Sequence, residues 1–286
     1  MGTVFEIVIA DDDPQYARHA AVEAFRELDK LEQDISNFIQ NSDISRIGSL
    51  KANESTRVSP DTFECLRQCA YLYQVTQKAF DATIGSLYEI WLDKEKNLLQ
   101  PTEQQIRLAM DHTGMDNLVL EDGFVVTSLM DNVKVDLGAF GKGYGLDKLA
   151  VLLREWDIAN FLMHGGYSSV LAGGAAPGKD GWRVTMTNPF GEKAIIKDME
   201  IKDASLSGSG LEKGQHIIDP RTGRPLDKTI AAWALAPTAA LSDALSTAFM
   251  IMELQEIEIF CKTFNDIKAV IVSGENEDEV FYFGEW

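Results

Sequence analysis

The sequence predicts a globular protein built of both helices and strands. Hydrophobic residues make up 45% of the 286 residues and aromatic residues 9%, which is enough to form a proper core. Some segments alternate apolar and polar residues, as half-buried strands do, while others repeat apolar residues at helical spacing. No internal repeat, low-complexity tract or Pro/Gly-rich linker interrupts the chain, so the sequence predicts a single domain over residues 1–286.

The first part of the chain is predicted to be one strand followed by helices. Residues 3–10 alternate as a strand, and a proline opens a helix over residues 14–33. A polar loop around Phe38 leads into a helical turn at residues 42–47. A Ser-Pro pair then gives the cap and first-turn signal of a second helix, which is predicted over residues 60–78.

Residues 79–91, AFDATIGSLYEIW, break the helical pattern with aromatic and small residues. This composition is typical of a pocket wall around a buried Asp81, and a plain loop is the alternative. Thr102 and Gln105 then form a capping box for a third helix that is predicted to end near Gly114. Three strands joined by tight turns are predicted next, over residues 118–120, 124–127 and 133–137.

The stretch VKVDLGAFGKGYGLDKLAVLLREW, residues 133–156, is predicted to run from a strand through a glycine-rich turn into a helix. Four glycines lie in the turn, at Gly138, Gly141, Gly143 and Gly145. Glycine permits positive φ and close approach of a ligand to backbone N–H groups, and the following helix directs its positive dipole end there. With Lys142 beside them, they predict an anion-binding turn. The spacing is neither the Walker nor the dinucleotide pattern, and a tight turn without ligand is the alternative.

The second half of the chain is predicted to alternate strands with two helices. Strands are predicted over residues 160–163, 168–171, 182–186, 194–201, 231–236, 269–272 and 280–283, with 182–186 and 194–201 as an antiparallel pair. Helices are predicted from Ala239 and over residues 254–264. The run ASLSGSGLEKGQHIIDPRTGRPLDK, residues 204–228, gathers Ser, His, Asp and Arg among glycines and prolines. It is predicted to be a functional loop held by a rigid scaffold.

Asp243 and Thr247 are four residues apart in the helix that starts at Ala239, so they lie on the same helical face. A carboxylate and a hydroxyl one turn apart are hard oxygen donors at a spacing suited to Mg²⁺. The alternative is an Asp favoured by the helix dipole and a Thr bonded to its own backbone.

The balance of 26 basic against 45 acidic residues gives a formal net charge of −19. Such a chain repels a phosphate backbone or an anionic membrane surface, so nucleic acid is excluded as a partner. An acidic protein that binds a phosphorylated ligand must neutralise it locally, with a few Lys or Arg residues or with a divalent cation held by carboxylates. A metal site is therefore expected.

Cysteine content and hydropathy place few further limits on the protein. Three cysteines do not make a disulfide framework, and Cys65 and Cys69, four residues apart in a helical pattern, are predicted to be packing residues. No apolar run approaches the ~20 residues of a membrane helix. The opening MGTVFEIVIA carries neither a basic segment nor a cleavage site, so the sequence shows no targeting signal.

Taken together, these segments resemble the ApbE family of FAD:protein FMN transferases over nearly the whole chain. The general matches are the opening MGT, the segment SNFIQNSDISRI, and AFDATIG for the family's FDxTVG. The more specific matches are VDLGAFGKGYGLD for DLGGxAKGYxxD, HGGYSS for the GGD/N stretch, SGSGLEKGQHIIDPRTGRP for SG…HIIDPxTGxP, and SDALSTA for ADALxTA. Four ordered motifs with correct residues are hard to obtain by chance.

The resemblance implies an α+β fold related to T-fold proteins, with mixed and antiparallel sheets and packed helices. It implies a reaction in which FAD is cleaved at its pyrophosphate, FMN becomes esterified to a Ser or Thr of another protein, and AMP is released. The acceptor it implies is a membrane-associated electron-transfer flavoprotein. Family members are commonly exported, often as lipoproteins, whereas this sequence shows no such signal, which leaves an exported and a cytoplasmic location open.

The resemblance also implies roles for individual residues through their positions in the motifs. FAD contacts are implied for Met1, at the flavin, and for Phe38, Ala79, Phe80, Asp81, Asp136, Lys142 and the backbone near Ile217. Mg²⁺ is implied to be held by the carbonyl oxygen of Ala139 and the side chains of Asp243 and Thr247. Ser246 stands where some members have a further carboxylate, so the metal here is expected to bind more water.

The reaction needs a base, because a protein hydroxyl is a weak nucleophile at neutral pH. Imidazole has a suitable pKa, and His216 is therefore the candidate. Asp219 either orients His216 or shapes the Asp-Pro turn, and the turn is favoured. Two departures from the family pattern are mild, Gly141 for the usual Ala and Leu206 for the usual Thr. Tyr167 replaces the usual Asp or Asn and is expected to alter one polar contact in the FAD pocket.

Two other functions are compatible with the sequence. A metal-dependent FAD pyrophosphatase would use water in place of the protein hydroxyl and release free FMN and AMP. A non-catalytic FAD carrier or sensor would retain intact FAD, although His216 and the metal pair Asp243 and Thr247 count against it.

Overall fold

A computed structural model describes residues 2–93, 95, 97–187, 195–211, 217–226, 229–273 and 279–286. The chain divides into two compact units, each assembled from separated stretches. The first unit comprises Met1–Lys30, Phe140–Glu212 and Lys228–Trp286, and the second comprises Leu31–Ala139 and Lys213–Asp227. The single domain expected over residues 1–286 stays a prediction.

Helices and strands alternate along the described residues. The α-helices are α1 (Pro14–Ile35), α2 (Asp43–Ile47), α3 (Pro60–Val75), α4 (Gly85–Trp91), α5 (Glu103–Asp111), α6 (Gly141–Glu155), α7 (Ala239–Ile251) and α8 (Leu254–Thr263), and a short 3-10 helix covers Met115–Asn117. The strands are β1 (Phe5–Ile9), β2 (Ser55–Arg57), β3 (Leu118–Glu121), β4 (Val125–Ser128), β5 (Phe161–Gly165), β6 (Ser169–Gly173), β7 (Trp182–Thr187), β8 (Ile195–Ile201), β9 (Ala204–Gly210), β10 (Ile218–Asp219), β11 (Arg224–Pro225), β12 (Thr229–Ala236), β13 (Lys268–Ser273) and β14 (Glu279–Phe283).

The first unit is built on an antiparallel sheet with the strand order β1-β5-β6-β9-β12-β13-β14. Alternate residues of β6 point to opposite faces, as the strand period requires. Leu171 packs in a cluster with the apolar face of α6, whereas Val170 and Ala172 pack against the β7–β8 ribbon. The sheet is therefore covered on both faces, and α6 is held on one of them by Leu149 and Leu153.

The second unit packs α2 to α5 with a small antiparallel sheet of order β2-β4-β3 and the two-stranded β10–β11 ribbon. Ile218 of the ribbon is buried with Leu87 of α4 and Ala109 of α5. Two further contacts hold the ribbon, because the indole N–H of Trp91 donates to the carbonyl of Gly223 at 2.7 Å and Arg224 pairs with Glu103. The ribbon that follows His216 in the chain is thus fastened to two helices.

The predicted starts of α3 and α5 are confirmed. Ser59 accepts a hydrogen bond from the backbone of Thr62 at the start of α3, and Thr102 and Gln105 form both halves of the capping box of α5. Cys65 and Cys69 are buried, as expected for packing residues. No helix within the described ranges is both long and apolar enough to cross a bilayer.

The strand predicted over residues 133–137 is wrong, although its alternation is real. Val133, Val135 and Leu137 are buried, yet the backbone pairs with no strand of the described chain. Instead, the backbone N–H of Gly85 donates to the carbonyl of Lys134, and the backbone N–H of Asp136 donates to the carbonyl of Ala82. Two polar backbone groups of this segment are thus satisfied by the chain around the start of α4, without a strand ladder.

Two other segments also differ from their predicted conformation. Residues 79–91 are not a plain loop, because their second half forms α4, whose Leu87 is fully buried. The functional loop predicted over residues 204–228 contains β9, a central strand of the large sheet. Serine and glycine are poor strand formers, so the sequence pattern missed β9; its pairing on both sides with β6 and β12 overrides that propensity.

Candidate active site

The carboxylate of Asp243 on α7 is the centre of the candidate site in the first unit. Asp243 is 3% exposed, and its oxygens lie 3.0 Å and 3.1 Å from Nζ of Lys142 on α6. The backbone N–H of Gly143 donates to Oδ2 at 3.2 Å, and the hydroxyl of Ser169 donates to Oδ1 at 3.0 Å. A buried carboxylate needs such partners, and here a cation and two neutral donors supply them.

The four glycines beside Lys142 do not form the flexible turn that was predicted. α6 begins at Gly141, so Lys142 lies in its first turn, and none of the four glycines takes a positive φ. Helix N-termini attract anions, as expected. The anion found there is the protein's own Asp243, which binds the N–H of Gly143.

Gly143 serves close helix packing rather than backbone flexibility. A Cβ at this position would lie 2.0 Å from the carbonyl oxygen of Ala239, the first residue of α7. Real Cβ atoms do not approach oxygen so closely, so only glycine lets the two helices reach this distance. The approach brings Lys142 within hydrogen-bond reach of Asp243.

A second carboxylate, Asp147, joins the same two helices. Asp147 lies on α6 and accepts hydrogen bonds from the backbone N–H groups of Ala239 at 2.7 Å and Ala240 at 2.8 Å. Loss of surrounding water raises the pKa of its carboxyl to about 6, although the two backbone hydrogen bonds oppose this rise. Asp147 therefore reaches across to the start of the helix that carries Asp243.

Hydroxyl groups line the boundary between β9 and α7. The hydroxyl of Ser209 lies 2.9 Å from that of Ser246 and 3.1 Å from that of Thr247. Ser242 is likewise bonded to Ser205 and Ser207, at 2.8 Å each. The hydroxyl of Thr247 is therefore held by a neighbouring strand and kept on the same face of α7 as Asp243.

The residues of the first unit have the chemistry that Mg²⁺ prefers. Asp243 and Thr247 present a carboxylate and a hydroxyl one turn apart, and hard oxygen donors of this kind suit a small divalent cation that keeps several waters. Ala139, whose carbonyl is the third implied ligand, belongs to the second unit and directly precedes Phe140 in the chain. The carboxylate and hydroxyl of the first unit therefore suit a magnesium ion, and the contact of Ala139 stays a prediction.

A second group of predicted residues lies in the second unit and surrounds Asp136. Oδ2 of Asp136 accepts from the amide of Asn37 at 2.9 Å, and Oδ1 accepts from the N–H of Gly138 at 2.7 Å. Phe38, next to Asn37, exposes 92% of its surface, which is unusual for an aromatic residue. The structure thus brings the loop that carries Phe38 to Asp136.

The stretch from Ala79 to Asp81 is buried and directly precedes Ala82, which is bonded to the same segment. Ala79 and Phe80 are 1% and 3% exposed, and Ala82 accepts from the backbone of Asp136 at 2.7 Å. The carboxylate of Asp81 accepts from both the N–H and the hydroxyl of Thr83, and burial raises its pKa to about 6. A buried Asp81 is as predicted, and its FAD contact stays a prediction.

The remaining predicted residues lie close to the β10–β11 ribbon or outside the described residues. Ile217 is buried, and its carbonyl accepts from the backbone of Leu226. Asp219 accepts from the backbone N–H of Arg221 at 2.8 Å, so it shapes the Asp-Pro turn, as favoured from the sequence. Met1 and His216 lie outside the described residues.

Tyr167 lies in the turn between β5 and β6. Gly166, which precedes it, has a φ of 64°, and the side chain of Tyr167 is fully exposed.

Comparison with known proteins gives the family of the chain. A sequence model described as the ApbE family matches residues 1–271. The chain belongs to the ApbE family. This confirms the resemblance inferred from the motifs.

Curated relatives of this ApbE-family chain carry the name FAD:protein FMN transferase. The protein of that name from Haemophilus influenzae is 27% identical over 274 residues, which cover 88% of this chain and 78% of the relative. The one from Vibrio cholerae is 26% identical over 268 residues, which cover 88% and 79%.

Solved structures confirm the α+β fold. The ApbE protein from Thermotoga maritima is similar with a TM-score of 0.87 and 25% identity, over 99% of this chain and 94% of the other. The flavin transferase ApbE from Vibrio cholerae is similar with a TM-score of 0.84 and 24% identity, over the same shares.

Sequence reasoning missed three residues that the structure bonds to α7, and it missed the packing role of Gly143. The three are Asp147, Ser169 and Ser209. Each lies inside a stretch already matched to the family, so the motifs themselves held the signal. Their partners are distant in sequence, however, and no local pattern shows what a small or polar residue contacts.

Proposed function

We propose that this chain is a Mg²⁺-dependent FAD:protein FMN transferase. It cleaves FAD at the pyrophosphate, attaches FMN through a phosphoester to a Ser or Thr of a membrane-associated electron-transfer flavoprotein, and releases AMP. Membership of the ApbE family and the shared name of its relatives support the proposal. The observation that carries it is the pairing of Lys142 with Asp243, one turn from Thr247.

Lys142 and Asp243 can provide the positive charge that the diphosphate of FAD requires, Lys142 directly and Asp243 by holding a cation. The chain carries a net charge of −19, which opposes a diphosphate, and negative charge grows on the leaving phosphate as the P–O bond breaks. Lys142 supplies one positive charge. Mg²⁺, when bound, would supply two more at the oxygens of Asp243, Thr247 and Ala139.

The carboxylate of Asp243 also links Lys142 to the cation. An ionised carboxylate has about four acceptor positions, and Lys142, Gly143 and Ser169 occupy them through contacts to both oxygens. Asp243 would hold a divalent cation only by giving up one of these donors. Lys142 would be the one to move, because its side chain is flexible and 20% exposed, whereas Gly143 donates from the backbone. Its ammonium group would then be placed to bind the phosphates of FAD.

The chemical step exchanges one P–O bond for another. The acceptor hydroxyl oxygen forms a bond to the phosphorus of the FMN half, and the bond from that phosphorus to the bridging oxygen breaks. The bridging oxygen leaves with the electron pair as part of AMP. His216 takes the hydroxyl proton in this scheme, since imidazole is half-protonated near neutral pH.

The test is to incubate the protein with FAD, Mg²⁺ and a flavin-free electron-transfer flavoprotein. We expect in-gel flavin fluorescence on the acceptor, a mass increase equal to one FMN less water, and one AMP for each flavin transferred. Free FMN without labelled acceptor would identify a pyrophosphatase instead, and intact FAD after long incubation would identify a carrier. His216→Ala should abolish transfer, and wild-type transfer by this variant would exclude the proposed base.

Asp243→Asn tests the observation on which the proposal rests. We expect transfer to fall on the order of a hundredfold or more, because the amide neither pairs with Lys142 nor binds a cation as an anion does. Asp198→Asn is the matched control, since Asp198 pairs with Arg183 on the exposed face of the β7–β8 ribbon. Equal transfer by the two variants, both shown to be folded by circular dichroism, would contradict the assignment of Asp243.

A further inference from the structure

The start of α7 is bonded to α6 by a side chain from outside its own sequence neighbourhood. Asp147 accepts from Ala239 with Oδ1 and from Ala240 with Oδ2, so each carboxylate oxygen takes one backbone N–H. The first N–H groups of a helix have no partner within it, and a negative charge there is favoured by the helix dipole. A carboxylate from another helix satisfies two of these groups.

Ordinary capping does not account for Asp147, because α7 has a cap of its own. Thr238 is the N-cap residue, and its hydroxyl accepts from the backbone N–H of Leu241. Thr238 directly precedes α7 in the chain, so this hydrogen bond connects α7 to no other helix or strand. What Asp147 adds is a connection between α7 and α6.

The connection lies one turn from the closest approach of the two helices. Gly143 and Asp147 are four residues apart on α6, hence on one face, and both contact Ala239. Contact at Gly143 sets how closely the backbones approach. The two hydrogen bonds of Asp147 set how far α7 is displaced along its axis, because each bond has a narrow range of length and angle.

This position determines where the functional groups of α7 lie. Ala239, Asp243 and Thr247 follow one another at intervals of four residues on one face of the helix. A shift of the first turn therefore moves the carboxylate of Asp243 relative to Lys142, from which it is 3.0 Å away.

We propose that Asp147 is a positioning residue of the transfer reaction, which holds α7 in register with α6 so that Asp243 and Thr247 meet Lys142 at the correct distances. The proposal rests on the proposed function. Asp147 touches neither the phosphates nor the acceptor in this role, and acts only through the two helices.

The test compares Asp147→Asn and Asp147→Ala with the wild type. Asparagine keeps one oxygen acceptor and sets an N–H group against the other donor, whereas alanine leaves both N–H groups without their partner. We expect kcat for FMN transfer to fall in the order Asp, Asn, Ala, by roughly tenfold to a hundredfold for alanine, as for a displacement of about 1 Å. KM for FAD should change less than kcat. The affinity for Mg²⁺ alone, measured by calorimetric titration with MgCl₂, should rise in the same order, because Asp243 and Thr247 move together with α7 and away from the Lys142 ammonium that competes for the carboxylate.

Thr238→Ala is the matched control, because it removes a cap from the same helix without touching α6. We expect it to lower Tm by an amount comparable to Asp147→Asn while leaving kcat and Mg²⁺ affinity at their wild-type values. All assays are made at 25 °C, below the Tm of every variant included. If kcat and Mg²⁺ affinity of Asp147→Asn equal those of Thr238→Ala, Asp147 is a cap and the proposal is overturned. If the wild type transfers no flavin, the proposed function fails, and the MgCl₂ titrations still decide whether Asp147 positions the cation ligands.

Discussion

Replacement of Gly143 by alanine should separate the two helices that carry the candidate site. The added Cβ would lie 2.0 Å from the carbonyl oxygen, 2.4 Å from the carbonyl carbon and 2.7 Å from the next nitrogen of the first turn of α7. All three atoms are backbone, so no side-chain rotation relieves the overlap. An unstrained contact needs about 3.5 Å, so the helices must part by about 1.5 Å.

This displacement has consequences for both stability and activity. Overpacking costs about 1–3 kcal/mol, and with a backbone clash we expect the upper end of that range. Alanine stabilises a helix interior by about 1 kcal/mol relative to glycine, so the free energy of unfolding should fall by about 2 kcal/mol in total. If the whole shift reached the ion pair, the 3.0 Å between Lys142 and Asp243 would grow to about 4.5 Å, beyond hydrogen-bond reach.

Urea unfolding measures the free energy change, and transfer of FMN to the acceptor measures the activity. Gly48→Ala is the control, because a Cβ there meets its nearest atoms at 3.5 Å and 3.6 Å, in ordinary contact, and φ is −62°. We expect this variant to match the wild type or to be slightly more stable. Wild-type stability and full transfer by Gly143→Ala would show that the helices do not approach as closely as described, and would refute the reasoning.

Three further predictions concern a charge, a hydrogen bond and a buried acid. Lys142→Met should tighten the binding of Mg²⁺ in the absence of FAD by roughly tenfold, since no ammonium then competes for the carboxylate of Asp243. The same variant should slow FMN transfer on the order of a hundredfold. An unchanged Mg²⁺ affinity in calorimetric titration would contradict the displacement of Lys142. Trp91→Phe removes the N–H that holds the β10–β11 ribbon and should cost about 1 kcal/mol in urea unfolding, with slower transfer because His216 precedes that ribbon. Asp81 has its pKa raised from 3.8 to about 6 by burial, so the native state binds its proton more tightly, and this group alone lowers the free energy of unfolding by about 3 kcal/mol as pH rises from about 4 to 6. Asp147, whose pKa is also raised to about 6, acts in the same direction, so Asp81→Asn should make the fall smaller by about 3 kcal/mol without abolishing it, and an unchanged pH slope in the variant would contradict the raised pKa of Asp81.

Local signals in the chain were enough to predict most elements. The caps Ser59 and Thr102 each act on a backbone group three residues away, so their pattern is readable in the sequence and the structure confirms both helix starts. The spacing of Asp243 and Thr247 placed them on one face of α7 for the same reason, since helical geometry depends only on the number of residues between them.

Prediction failed where distant chain segments decide the conformation. β9 is rich in serine and glycine, yet it forms a central strand because β6 and β12 flank it. Residues 133–137 alternate like a strand, yet their backbone bonds to the segment before α4. In both cases the identity of the hydrogen-bond partner, which no local pattern records, determines the outcome.

The sequence by itself determined the family, the mixed fold, the acidic net charge, and the placement of Asp243 and Thr247 on one face of α7, because each depends on residue identity or on spacing along the chain. Only the tertiary structure decided what the glycine-rich stretch does. It turned a predicted flexible turn into the first turn of α6, where Gly143 admits a second helix and Lys142 meets a carboxylate 101 residues away. Such contacts arise from the packing of α6 against α7, and packing is set by the whole fold rather than by neighbouring residues.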